Sequence, residues 1–110
     1  MYEYKAKYIS NYDGDTVTLE IDLGFKIRHE IVVRLISVNT PELRGGTKKT
    51  KEEAKKIRDY VKDKLSNAYN ITVVTRKDRK GKYGRYLAEV VYNGTNLNKE
   101  LIDMGYTWEG

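Results

Sequence analysis

The sequence predicts an α+β fold that is mainly β. Five short strands close into a small barrel, an amphipathic helix stands between strands 3 and 4, and a short helix follows near the C-terminal end. Three patterns carry this expectation: apolar residues alternating with period two through the first third of the chain, a central run with apolar spacings of three and four, and two further strand-like segments separated by a basic stretch.

Tyr4, Ala6 and Tyr8 alternate with Lys5, Lys7 and Ile9, and Asn11-Tyr12-Asp13-Gly14 supplies the turn chemistry that ends a first strand. Val17, Leu19 and Ile21 oppose Thr16, Thr18 and Glu20 in a second, and Asp22-Leu23-Gly24 turns the chain. From Lys26 to Val38 both alternating faces are apolar, which predicts a central strand ended by Thr40-Pro41. Arg34 interrupts one of those faces, so its guanidinium is expected to make a specific contact rather than to pack. Thr50-Lys51-Glu52-Glu53 reads as a capping box for a helix whose core face is Ala54, Ile57, Val61, Leu65 and Ala68. Ile71 to Thr75 and Tyr86 to Tyr92 read as strands, the second ended by Asn93-Gly94. Asn98 is expected to cap the last helix, with Leu97 and Ile102 as its hydrophobic staple and Gly105 as its stop. Elements in this order, within a single domain spanning residues 1–110, fit a five-stranded OB-type Greek-key barrel.

Composition narrows the chemistry. A chain with 39% hydrophobic residues can form a core although 34% of it is charged. Lys and Arg exceed Asp and Glu by 21 to 16, and Arg76 to Arg85, with six basic residues and one acid, alone accounts for the whole excess. Such a local field suits phosphate, although a solvated basic loop has the same composition. Without cysteine there is no disulfide, zinc-thiolate or thiol chemistry, and with His29 as the one histidine a Ser-His triad or multi-histidine metal site is hard to build. Carboxylates, amides and arginines must carry any reaction. No apolar run has membrane-spanning length and MYEYKAKYIS lacks a signal-peptide core, so no membrane association is expected; the location is cytoplasmic by default, or secreted if a signal has been removed.

Three segments could carry chemistry. Asp15 in Asp13-Gly14-Asp15-Thr16 stands at the mouth of the second strand, although Asp-Gly alone is an ordinary turn. Asn39, Thr40 and Glu42 bring amide, carbonyl and carboxylate oxygens to the end of the central strand, where hard cations find suitable donors and where turn hydrogen bonds would use the same groups. Lys82-Tyr83-Gly84-Arg85 offers a stacking face and a bidentate phosphate contact within the basic stretch. With Arg34 added, these residues supply metal ligands, a carboxylate base and two guanidinium groups.

DGDT, RLISVNTPE, KYGR and NLNKELIDMGY occur in the order and approximate spacing of the staphylococcal nuclease (thermonuclease) family, which this chain resembles over nearly its whole length. The resemblance implies calcium-dependent hydrolysis of DNA and RNA, single strands or flexible ends preferred, to products with 3'-phosphates. Asp15 and the Thr40 carbonyl would ligate Ca2+, Glu42 would be the general base, and Arg34 and Arg85 would hold the phosphate and stabilise charge in the transition state. Lys82 and Tyr83 would contact the nucleotide, and Trp108 would stack on a base or plug the barrel. A monomer is expected.

Asn39 departs from the family pattern, which usually has a second calcium-binding aspartate there. An amide oxygen can still ligate, with one negative charge fewer. The chain also stops soon after Trp108 where the family continues, so part of the nucleotide pocket is expected to be missing. A noncatalytic OB module binding nucleic acid, and a protein-interaction domain, stay open beside the nuclease.

Overall fold

The computed structural model describes residues 2–43, 46–80 and 86–107, the side chains of 76–80 excepted. Its elements follow the order β1 (Tyr2–Asn11), β2 (Thr16–Asp22), β3 (Arg28–Leu35), α1 (Lys48–Ser66), β4 (Ile71–Lys80), β5 (Tyr86–Tyr92), β6 (Thr95–Asn96) and α2 (Leu97–Asp103). The strands lie in the order β3-β2-β1-β4-β5-β6. A parallel pairing of β3 with β5, through Val33↔Tyr86 and Leu35↔Ala88, joins the ends of the five long strands into a closed OB-type barrel. Closure removes the exposed edges of the sheet, and β6 merely extends β5 beyond it.

Alternation decides what fills the barrel. Val17, Leu19, Val33, Val73 and Val90 are fully buried, and each contributes roughly 1.5–3 kcal/mol by leaving water. The buried face of α1, Ala54, Ile57, Val61 and Leu65, follows the predicted spacing, and Ala68 packs against the core from the turn beyond the helix.

Several expected boundaries shift for local reasons. The α1 N-cap is Thr47, not Thr50: its side chain accepts the Thr50 amide while the Thr50 hydroxyl donates to the Thr47 carbonyl, so the helix starts one turn earlier. Asn96, not Asn98, caps α2 by accepting the Lys99 amide, which makes Leu97 the first helical residue rather than half of a staple. Asn98 is instead buried, accepting the Val90 amide and donating to the carbonyls of Ile36 and Ala88, so it ties α2 to β5 and to the end of β3. Gly105 does end the helix: with φ of 100°, its amide donates to Ile102 and the Tyr106 amide to Leu101.

The central strand is shorter than expected, and only one of its faces is fully buried, by Ile31, Val33 and Leu35. After Leu35 the chain turns through Ser37, at φ of 65°, which returns Val38 to the core. β4 runs on to Lys80, past the Thr75 expected as its end. Among the described residues no helix is long and apolar enough to cross a membrane.

Candidate nucleic-acid-cleaving site

The turn between β1 and β2 is built from its polar side chains. The Tyr8 hydroxyl donates to Asn11 Oδ1, and Asn11 Nδ2 donates to the carbonyls of Asp13 and Arg58, both at 3.0 Å, which fixes the turn to β1 and to α1. Asp13 Oδ1 accepts the Asp15 amide at 3.1 Å. Gly14 lies so close to its neighbours that a Cβ there would meet Thr40 Cγ2 at 2.8 Å and Ile57 at 3.1 Å. This turn therefore packs directly on the segment that follows β3 and on α1, a constraint that Asp-Gly as a turn signal does not convey.

Asp15 is where those segments meet. Its Oδ1 accepts the Thr16 hydroxyl at 3.1 Å and its Oδ2 accepts the Thr40 amide at 3.2 Å. Oδ2 also lies 3.4 Å from Arg34 Nη2, with the two side chains 9% and 15% exposed. Arg34 Nη1 donates to the carbonyls of Leu35, at 3.1 Å, and Val38, at 2.7 Å, so the guanidinium spans the turn after β3. This is the specific contact that its place on the strand led us to expect. The Asn39 backbone N–H donates to the Tyr106 carbonyl, and a bridge between Val38 and Thr107 continues the pairing, so the segment after α2 braces the Asn39–Thr40 pair.

The structure thus brings Asp15, Arg34 and Thr40 together, with Asn39 half-buried beside Thr40 and Glu42 exposed on the loop beyond Pro41. Arg85, Lys82, Tyr83 and Trp108 lie outside the described residues. Asp13 is the residue whose importance the motif alone understated. Burial, and then the neighbouring Asp15 carboxylate, push its pKa up from 3.8 to about 6.

The donor chemistry at this rim fits a hard cation. The near-buried Asp15 carboxylate faces the Arg34 guanidinium with the Asp13 carboxylate buried in the same turn, the Thr40 hydroxyl oxygen is buried with no hydrogen-bond partner among the described residues, and all the candidate ligands are oxygens. No cluster of three His, Cys, Asp or Glu side chains forms among the described residues, so any such site depends on amide and backbone oxygens as well.

The fold is a closed OB-type barrel, and the chain belongs to the family of staphylococcal nuclease homologues, whose model matches residues 32–109. It is 33% identical to Endonuclease YhcR of Bacillus subtilis (strain 168) over 94% of this chain and 9% of that protein. It is also 32% identical to the uncharacterized protein MJ1439 of Methanocaldococcus jannaschii, over 94% of this chain and 58% of that protein. The chain therefore spans less than two thirds of either relative.

Proposed function

We propose that residues 1–110 act as one nuclease domain that hydrolyses phosphodiester bonds of DNA and RNA, single strands preferred, with calcium as cofactor. The observation that carries this reading is the Asp15–Arg34 pair at 3.4 Å, with the Thr40 amide on the same carboxylate oxygen. It joins an oxygen ligand, a phosphate-binding cation and the strand-end segment at one point. Family membership supports it.

In this reading Asp15, the Asn39 amide oxygen and the Thr40 carbonyl hold Ca2+, which when bound supplies positive charge against the phosphate. Arg34, locked by the carbonyls of Leu35 and Val38 and by Asp15, presents a fixed guanidinium and needs little reorganisation as charge develops on the phosphate. Arg85 is its proposed counterpart from the basic stretch, and Lys82, Tyr83 and Trp108 engage the nucleotide. Glu42, exposed to solvent, accepts the proton of the attacking water at its carboxylate. The water oxygen bonds to phosphorus as the P–O5' bond breaks, and the 5'-oxygen takes a proton from solvent and leaves as a hydroxyl, so that the other strand end carries the 3'-phosphate.

Asn39 favours a second reading, a noncatalytic OB module that binds nucleic acid or a protein, because it removes one charge from the ligand set. End-labelled single-stranded DNA and RNA incubated with calcium separate the two. Fragments whose 3' ends are sensitive to phosphatase support the nuclease, and intact strands at saturating protein support the module.

A further inference from the structure

Away from the rim, a shallow trough follows β1 beside α1. Three adjoining depressions form it, of about 450, 440 and 330 Å³, the first two sharing Ala6, Lys7 and Tyr69 and the last two sharing Tyr8. The last reaches Asn11, whose side chain holds the Asp13 carbonyl, so the trough runs up to the turn that carries Asp15. From Lys5 to Asn11 along an extended strand is on the order of 20 Å.

The lining is basic, and its charges are unevenly matched. Arg28 faces Glu20 at 3.7 Å and Arg58 faces Asp59 at 3.1 Å, and the Asp22 carboxylate accepts the Gly24 amide. Lys5, Lys7 and Lys62 form no ion pair among the described residues. β1 pairs with β4 from Tyr2 to Ala6 and with β2 from Ala6 to Asn11, so Lys5 and Lys7 stand on either side of the residue paired with both. Tyr69, 86% exposed, offers a ring at the far end, held in place by its own amide donating to Asn93. Five cations against three carboxylates, with Lys7 opposite Glu20 in register, and an exposed ring along a path a few nucleotides long provide what a single strand requires.

We propose that this trough is a second polynucleotide contact surface, binding through Lys5, Lys7, Lys62 and Tyr69 the strand that flanks the phosphodiester at the Asp15–Arg34 rim. The inference rests on the proposed nucleic-acid substrate. It predicts that affinity depends on strand length: a tetranucleotide can occupy the rim alone, whereas a dodecanucleotide reaches the trough as well.

The test is fluorescence anisotropy with both labelled oligonucleotides, in chelator so that no cutting occurs, across a series of salt concentrations. The proteins are the parent, the triple variant Lys5→Gln, Lys7→Gln, Lys62→Gln, and the same three positions changed to Arg. The glutamine variant should bind the dodecanucleotide at least about tenfold more weakly, and its slope of log affinity against log salt should flatten by about 2, the loss of three single-strand phosphate contacts. Tetranucleotide binding should not change, and the arginine variant should behave as the parent. Unaltered dodecanucleotide affinity and slope in the glutamine variant would overturn the trough and leave the nuclease reading standing. Lysine-dependent binding by a protein that does not cut when calcium is supplied would overturn the nuclease and support the trough, and no dodecanucleotide binding by the parent would overturn the trough.

Discussion

The Arg34 guanidinium lies 3.4 Å from a carboxylate oxygen of Asp15, and that same oxygen accepts the Thr40 amide. One carboxylate thus holds the second strand, the third strand and the segment after it in register, so structure and proposed chemistry depend on the same contact.

Replacing Arg34 should therefore act on both. Arg34→Gln leaves a near-buried carboxylate without its cation, and urea denaturation should show a loss of about 2–3 kcal/mol. Cleavage should fall by at least about 100-fold. Arg34→Lys should keep most of the stability and little of the cleavage, because a lysine ammonium cannot span the Leu35 and Val38 carbonyls as the planar guanidinium does.

Gly14→Ala should strike the same rim sterically. Its Cβ would lie 2.8 Å from Thr40 Cγ2, so the turn and the Thr40 segment must separate. A stability loss of about 1–3 kcal/mol is expected in thermal or urea unfolding, together with weaker calcium binding.

The raised pKa of Asp13 has a definite sign. Its folded value, about 6, exceeds the ordinary 3.8, so the folded state holds the proton more tightly. That contribution is complete below about pH 4 and is lost as pH rises through about 6. Asp13→Asn keeps an oxygen to accept the Asp15 amide and removes the charge. In chelator at pH 8 it should raise stability by roughly 1–2 kcal/mol, and it should flatten the dependence between pH 4 and 6 measured by urea midpoints.

Asn39→Asp restores a charged ligand to the proposed calcium site. Calcium affinity should tighten by on the order of tenfold in a titration followed by calorimetry. An unchanged titration would remove Asn39 from the ligand set.

The strands and the core face of α1 were legible because each side chain's burial follows from its own place in a period of two or of 3.6. Arg34 was legible as a contact residue because it broke such a period. What the sequence concealed depends on pairs distant along the chain. Asn98 looks like a cap until its partners at Ile36, Ala88 and Val90 are known, and Gly14 looks like a turn residue until Thr40 and Ile57 stand against it. Thr47 and Asn96 cap the helices although Thr50 and Asn98 offer equally good capping chemistry, since the choice between them is set by where packing starts the helix. The trough along β1 was hidden for the same reason, because Lys62 joins Lys5 and Lys7 only when α1 is laid beside the strand.

Cleavage of labelled single-stranded DNA across a calcium series, by the parent and by Glu42→Gln with a chelator control, tests the central claim most directly. The account predicts calcium-dependent cutting that chelator abolishes and that Glu42→Gln lowers by at least about 100-fold while leaving oligonucleotide binding intact. Binding without cutting by the parent at every calcium concentration would contradict it.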